Sequence, residues 1–597
     1  MPHYVPPIQD LQFVLTEVAE LDQICALPGF ADADPDLIGA ILEEAGKFAS
    51  EILAPLNRVG DTEGSRLEND AVRTPEGWKE AYRRFTEGGW TSLLFDSQYG
   101  GQGLPRVVGA AVQEMWDAAN MSFGLCPMLT QTAAEVISLA GTSEQKEIYL
   151  GRLVRGEWTG TMNLTEPQAG SDLSAVRTQA VAAKEGHYLL TGQKIFITYG
   201  DHDLSGNIVH LVLARAPDAP DGVKGISLFI VPKFIPDSDG EPGKRNDIRT
   251  VSLEQKLGIH ASPTAVLSYG DKEGAVGYLL GEENRGLEYM FIMMNMARHA
   301  VGIEAYAVAE RAYQRALAYA EERIQGRGVG MQSDGRVPII KHPDVCRMLL
   351  EMKCRIDAMR ALSLYTAAAE DRAIRQVEEE DRMRNQNLVD VLIPIVKGWS
   401  SELGNDVAGR ALQVLGGMGF IEEAGAAQHY RDARITTIYE GTTGIQAADL
   451  VRRKLLGDGG GLIRDAIAVI QADVSSVSSN TSKDITEICT AMREALSQLE
   501  MATEWILESA TRDPRLPFAA SFHYLMLWGA VAGGWQMARV AGAAVRRMEQ
   551  EPEHQFLHDK VLSACCYVRY VLPTSTACCA AIVSGSELIA RYESRSF

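Results

Sequence analysis

An α+β protein of several domains, in the order helix, sheet, helix, helix, is what this sequence predicts. Three observations carry that reading. Apolar residues recur at helical spacing before residue 158 and again after residue 286. Between those stretches the texture changes to short apolar runs separated by turn residues, the pattern of strands. A glycine-rich joint, Gly457-Asp-Gly-Gly-Gly-Leu462, then sets off a last helix-forming segment. The length, 597 residues, accommodates such a series of domains.

Residues 1–35 read as an N-terminal extension with one amphipathic segment over 11–25. Residues 36–158 read as a helical domain. Leu37, Ile38, Ile41 and Leu42 share a face that Phe48, Ile52 and Leu53 continue, and Tyr99-Gly-Gly-Gln-Gly103 with Pro105 marks a loop. Residues 159–285 read as a β domain, with strands over 187–190, 195–198, 208–214 and 226–231. A turn at Gly192-Gln193 and a polar surface loop over 236–247 punctuate it. Helices return over 286–458. Leu287, Met290, Phe291 and Met294 lie on one face, and Leu403, Val407, Ala411 and Val414 on another that ends at Gly416-Gly417. Residues 327–337 and the acidic run Glu378-Glu-Glu-Asp381 read as solvated loops. Residues 463–597 read as a separate helical bundle, in which 525–545 form a buried helix or helix pair.

The formal charge is -22 at pH 7, from 57 Lys and Arg against 79 Asp and Glu. Non-specific nucleic-acid binding needs clustered cations, so this balance argues against such a partner, and no basic tail follows residue 463. The start, Met-Pro-His-Tyr-Val-Pro-Pro, shows no basic stretch leading into an apolar one, so no secretory leader is expected. No uninterrupted apolar run of about 18 residues occurs, so no integral membrane segment is expected either. The 9 cysteines include the adjacent pairs Cys565-Cys566 and Cys578-Cys579, which lack zinc-site spacing. They read as buried free thiols in a reducing cytoplasm, with no metal site.

Chemistry is suggested first at Arg434-Ile-Thr-Thr-Ile-Tyr-Glu-Gly-Thr-Thr-Gly-Ile-Gln446. One carboxylate, Glu440, follows an apolar run and precedes Gly441 and Thr442. A carboxylate pressed against apolar neighbours loses water, so its pKa rises toward the working pH and it becomes a better base. The following glycine lets backbone or ligand come close. Alone, Glu-Gly reads as a solvated helix-end charge. Three further segments bear on it. Met162-Asn-Leu-Thr-Glu-Pro-Gln-Ala-Gly-Ser-Asp172 offers the hydroxyls of Thr165 and Ser171, which suit a polar ring-shaped cofactor; it could be only a turn. In Gln193-Lys-Ile-Phe-Ile-Thr198, strand alternation puts Phe196 and Thr198 on one face, an aromatic wall beside a hydroxyl. In Gln413-Val-Leu-Gly-Gly-Met-Gly-Phe420, glycines at a helix end leave room for a phosphate or ribose, or simply cap the helix.

In this order and spacing, the four motifs resemble those of the flavin-dependent acyl-CoA dehydrogenases, over residues 36–456. The resemblance implies a helical N-terminal domain, a central β-barrel-like domain and a four-helix C-terminal domain, here followed by an extra C-terminal helical bundle. It implies FAD as cofactor, with Leu164, Thr165 and Ser171 lining the flavin or the thioester end of the substrate. By the same match, Phe196 and Thr198 lie beside the isoalloxazine, and Arg323 reaches the FAD pyrophosphate of a neighbouring subunit. Gln413, Gly416 and Gly417 meet FAD across that interface, and Thr442 touches its adenosine part. Glu440 is the expected base, with Arg298 nearby and Tyr439 and Gly441 among the substrate contacts.

The implied reaction is removal of the α-proton of an acyl-CoA by Glu440 and of the β-hydride by flavin, giving a trans-2-enoyl-CoA. The backbone N–H of the base and a cofactor hydroxyl would hold the thioester carbonyl. Electron-transfer flavoprotein is the implied acceptor, and a homodimer or dimer of dimers the implied assembly. Gly444 and Met162 depart from the common pattern, and the bundle after residue 456 resembles a long bacterial branch. Its substrates include medium- to long-chain fatty acyl-CoAs and 3-(methylthio)propanoyl-CoA. The pocket floor is expected over 122–130. The competing readings are a nucleic-acid-binding relative of the fold, disfavoured because the tail after Ile463 is not basic, and an oxidase that gives electrons to oxygen.

Overall fold

The computed structural model describes residues 4–30, 33–183, 186–330, 335–479 and 482–593. Met1, Pro2 and His3, on which the leader reading partly rests, lie outside them. The chain forms two compact units. One comprises Met1–Gly46, Pro105–Ala118 and Arg298–Phe597; the other comprises Lys47–Leu104 and Ala119–Ala297.

The extension contains helix α1 (Ile8–Glu17) and a short second helix, Leu21–Cys25. The single amphipathic segment expected there is interrupted at Glu20, whose φ of 59° is left-handed. Helices α2 (Pro35–Phe48), α3 (Trp78–Glu87) and α4 (Arg106–Ala140) follow. α4 leaves helical geometry at Asn120, whose side-chain Oδ1 accepts from the Phe123 amide and so starts the second helical stretch.

The main sheet of the second unit is built from β1 (Trp158–Asn163), β2 (Gln179–Ala182), β3 (Tyr188–Thr198), β4 (Asn207–Ala214), β5 (Ser227–Pro232), β6 (Ile248–Leu253), β7 (Thr264–Tyr269) and β8 (Ala275–Leu279). They make one sheet in the order β6-β7-β3-β8-β5-β4-β1, with β2 also pairing β3. Its pairs are antiparallel except β1 with β4. Leu190, Ile197, Val212, Phe229, Val231 and Leu267 build its core. The turn expected at Gly192-Gln193 does not form, because β3 runs through it. Glycine is needed there for another reason: a Cβ at 192 would stand 2.5 Å from Thr178 Oγ1. The loop expected over 236–247 carries an exposed hairpin, Phe234–Pro236 with Pro242–Arg245.

In the first unit, α5 (Gly286–Glu322, from Arg298 on), α6 (Pro343–Arg375) and α7 (Glu379–Leu415) are the long helices. The acidic run at 378–381 is no loop. It caps and opens α7, where exposed carboxylates suit the positive end of the helix dipole. The loop expected over 327–337 is a hairpin at its ends, Ile324–Arg327 with Arg336–Pro338; residues 331–334 lie outside the described ones. α7 ends at Gly416, whose φ of 60° continues no helix. Helices α8 (Ala426–Ala433) and α9 (Thr443–Asp449) flank the Glu440 segment.

After the glycine joint come α10 (Gly461–Val477), α11 (Lys483–Arg512), α12 (Leu516–Met548) and α13 (Gln555–Tyr570). Cys565, Cys566 and Cys579 are buried free thiols, and Cys578 is half-buried. Two helical stretches, Leu516–Met548 and Gln555–Tyr592, are long and apolar enough to cross a membrane. The apolar window of the first is 72% buried inside the protein, as a core helix is.

Buried charges pin these parts of the first unit together. Asp10 of α1 pairs with Lys353 of α6 at 3.2 Å and with Lys560 of α13. Lys560 also reaches Asp357 at 3.1 Å. Arg360, fully buried, meets Glu114 at 2.6 Å and Glu310 at 2.9 Å. Charges out of water persist only when paired in this way.

Candidate active site

The segment carrying Glu440 is a 3₁₀ turn, Arg434–Thr437, followed by irregular backbone and then α9. Glu440 has φ 54° and Gly441 φ 89°. A left-handed glutamate is strained by on the order of 1–3 kcal/mol and persists only where its surroundings dictate it. α7 supplies those surroundings. Lys397 Nζ donates to Gly441 O at 2.6 Å, Ser401 Oγ to Thr436 O at 2.9 Å, and Asn405 Nδ2 to Ala433 O at 2.9 Å. Thr443 Oγ1 donates to Glu402 at 2.6 Å. From α9, Gln446 Nε2 donates to Glu440 O at 3.0 Å. The Glu440 amide N–H meets no acceptor among the described residues.

Electrostatics single out the same residue. Glu440 is half-buried overall, and loss of water around its carboxyl pushes its pKa up to about 7; Arg298 and Lys397 oppose the rise. Burial likewise pulls Lys397 down to about 7, against the attraction of Glu440 and Glu304. Arg298, on α5, is lowered by burial while Asp449 and Glu440 act to raise it, and its Nη1 lies 3.8 Å from Asp449. Next to Glu440, the Tyr439 hydroxyl donates to Glu304, and both are raised well above their usual range by burial. Asp117 of α4, which acts on Glu304, is pushed up to about 8 by burial. The first unit thus gathers Glu440, Arg298 and Tyr439 as expected, although the Tyr439 hydroxyl is committed to Glu304. Thr442 Oγ1 accepts from the Ile445 amide at 3.3 Å, so part of its role is to cap α9.

In the second unit, the Thr165-Glu166-Pro167 turn is held by a buried ion pair. Glu166 Oε1 accepts from Lys194 Nζ at 2.8 Å and Thr178 Oγ1 at 2.6 Å, and Oε2 from the Arg177 amide at 2.7 Å. Lys194 Nζ also donates to Leu164 O at 3.0 Å. Burial raises Glu166, but Lys194 and these donors win and hold it at about 2. Burial wins for Lys194, at about 8. The carboxylate therefore owes its stability to several donors together.

Phe196 and Thr198 sit beside a β-bulge. Ala265 pairs with Ile197 and Leu267 with Lys194, so Ile195 and Phe196 together oppose Val266. Simple alternation along β3 is thereby broken. Phe196 adopts φ 60° and is 58% exposed, while Ile197 is buried. The hydroxyls of Thr165, Ser171 and Thr198 find no protein partner among the described residues. Leu164 is buried and Ser171 exposed. An exposed aromatic ring can stack on a planar cofactor, and unspent hydroxyls can donate to its polar edge.

Arg323 and Gln413 are exposed, and a Cβ at Gly416 or Gly417 would meet no atom within 4 Å, so open space lies beside both glycines. His342 Nε2 donates to Gln325 O at 2.6 Å and so ties the hairpin after Arg323 to the start of α6. Of the expected floor, Tyr199 donates to Ser122 O at 2.6 Å, and Thr130 Oγ1 accepts from the Gly160 amide at 3.1 Å; both are structural bonds.

Lys397, Glu304, Gln446, Glu166 and Lys194 were missed as working residues by the reading of the sequence. Lys397 had a signal, since it interrupts the apolar run Val391-Leu-Ile-Pro-Ile-Val396. Glu166 and Lys194 stood inside quoted motifs, but 28 positions apart, so only the fold shows them paired.

Four family models match the chain consecutively. The acyl-CoA dehydrogenase N-terminal domain matches residues 39–157, the middle domain 161–271 and the C-terminal domain 284–455; the acetyl-CoA dehydrogenase C-terminal-like domain matches 463–592. A 3-methylmercaptopropionyl-CoA dehydrogenase of Ruegeria pomeroyi is 48% identical over 574 residues, 96% of this chain and 97% of that protein. A broad-specificity linear acyl-CoA dehydrogenase of Mycobacterium tuberculosis is 35% identical over 603 residues, 97% of each chain. Among solved structures, a FAD complex of a Bacillus anthracis acyl-CoA dehydrogenase shares the fold, with TM-score 0.74 at 21% identity over 98% of this chain and 95% of that one.

Proposed function

The chain belongs to the acyl-CoA dehydrogenase family of FAD-dependent oxidoreductases, and from that premise we propose that it desaturates an acyl-CoA thioester between its α and β carbons, with Glu440 as the base. One observation carries the reading. Glu440 combines a carboxyl poised at about 7 with an amide N–H that meets no acceptor among the described residues. The carboxylate form takes the α-proton. The amide donates to the thioester carbonyl, where enolate charge develops, a type of contact that contributes about 10²–10³-fold. Lys397 and Arg298 keep part of Glu440 ionised at neutral pH, and burial favours the neutral acid once the proton has landed. Gln446 and Lys397 fix the carbonyls on either side, so the base does not turn away.

When bound, FAD takes up the hydride that leaves the β-carbon. Leu164, Thr165, Ser171, Phe196 and Thr198 would hold its ring end. Arg323, Gln413, Gly416, Gly417 and Thr442 would hold its phosphate and adenosine parts, with Arg323 and Gln413 serving a neighbouring subunit of a homodimer. Electron-transfer flavoprotein is the proposed acceptor and the cytoplasm the proposed compartment.

Two substrate readings stand, a medium- to long-chain fatty acyl-CoA and 3-methylmercaptopropionyl-CoA. The 48% identity along nearly the whole of a protein named for the second favours it over the first. Anaerobic bleaching of the bound flavin with each acyl-CoA is the test. Faster bleaching by the thioether substrate is expected. Glu440→Gln should keep its yellow colour and lose bleaching by about 10³-fold or more; normal bleaching would remove Glu440 as the base.

A further inference from the structure

The C-terminal bundle packs on both α7 and α9, the two helices that hold the catalytic segment. On one side of α7, Lys397 and Ser401 bond to the Gly441 and Thr436 carbonyls. On the other, Trp399 presses on α12 so closely that a Cβ at Gly529 would fall 2.0 Å from its Cγ. A Cβ at Gly533 would fall 2.7 Å from Trp399 Cη2. Between these contacts, a Cβ at Gly398 would stand 2.6 Å from Leu525 Cδ2 and 3.3 Å from Gln446 Cβ. The bare backbone at 398 therefore lets Leu525, from the bundle, and Gln446, from α9, come together beside it.

Gln446 is the link to the base. Its Nε2 donates to Glu440 O at 3.0 Å, yet its buried Oε1 finds no donor among the described residues. Hydrogen bonds hold the amide at one end only. The rest of its placement depends on packing, and Leu525, fully buried, is the side chain that packs there from the bundle.

We propose that Leu525 is a positioning residue for the catalytic base: it clamps Gln446 against Gly398 and so fixes the 439–441 backbone that keeps the Glu440 carboxyl out of water. The bundle, on this view, sets the state of the base rather than merely enlarging the protein. The inference takes Glu440 as the base from the proposed function, but its readouts need no turnover.

The test uses full-length, flavin-loaded Leu525→Ala, with Leu525→Met as a volume-conserving rescue. Leu499→Ala, in α11 of the same bundle, is the control for a weakened bundle alone. The first readout is the pH at which Glu440 takes up a proton, followed as protonated-carboxyl infrared absorbance by difference against Glu440→Gln. The second is hydrogen exchange of the 438–446 amides. In Leu525→Ala the midpoint should fall by about one pH unit or more toward the ordinary glutamate range, and exchange should quicken about tenfold. Leu525→Met and Leu499→Ala should leave the midpoint in place. Gly398→Ala, whose added Cβ would force Leu525 and Gln446 apart, should reproduce the shift and carries the test if Leu525→Ala does not fold. An unmoved midpoint in the folded variant, or an equal shift in Leu499→Ala, overturns the proposal. A wild-type chain that bleaches with no acyl-CoA would sink the functional reading and leave these measurements valid.

Discussion

Replacing Glu440 by glutamine should make the protein more stable while abolishing its chemistry, and the gain should depend on pH. Burial moves the carboxyl from an ordinary 4.5 to about 7. That shift of roughly 2.5 units, at about 1.36 kcal/mol each, caps the cost of ionising it in place at about 3 kcal/mol. Part of this is offset in the variant, because Lys397 and Arg298 lose the negative charge that draws them. A net gain of about 1–2 kcal/mol remains. A raised acid binds its proton more tightly when folded, so wild-type stability falls as pH rises from 4.5 to 7. The advantage of Glu440→Gln should therefore be complete above pH 7, small at pH 5 and absent below pH 4.5. Denaturant unfolding of both flavin-loaded proteins at pH 5, 6, 7 and 8 measures it. A variant less stable than wild type at pH 8, or an equal difference at pH 5 and pH 8, would refute the reasoning.

Four other outcomes follow from the buried ion pairs and the strained residue of β3. Lys194→Met strands Glu166 without its buried partner and should cost about 3–5 kcal/mol in denaturant unfolding, with looser flavin retention. Because Glu166 is held at about 2, the stability it contributes is present above pH 4.5 and lost as pH falls through 2, so the gap between wild type and Glu166→Gln should narrow in acid. Arg360→Met leaves buried Glu114 and Glu310 uncompensated and should cost at least about 3 kcal/mol by the same measurement. Phe196→Gly relieves a left-handed side chain but removes an exposed ring, so unfolding stability should hold while FAD affinity, read by fluorescence titration, falls.

The helices and strands were legible where periodicity is a local matter, as in the face of Val407, Ala411 and Val414 that ends at Gly416. Errors came where a distant neighbour decides. Gly192 reads as a turn, yet it is the close approach of Thr178 that demands glycine. The Glu378–Asp381 run reads as a loop because charge alone does not reveal a helix start. Simple alternation through Phe196 failed because the bulge depends on the register of β7 against β3.

By itself, then, the chain of letters determined the order of helical and β domains and singled out Glu440 as the acid to propose as base, since each is written in adjacent or periodically spaced residues. Tertiary structure alone decided that Lys397, Gln446 and Glu304 surround that acid, that Glu166 meets Lys194, and that Leu525 of the added bundle stands with Gln446 beside Gly398. Burial is the reason. A charge shifts its protonation, and a glycine becomes obligatory, only when elements far apart in sequence close over it, and no local pattern records which elements those are.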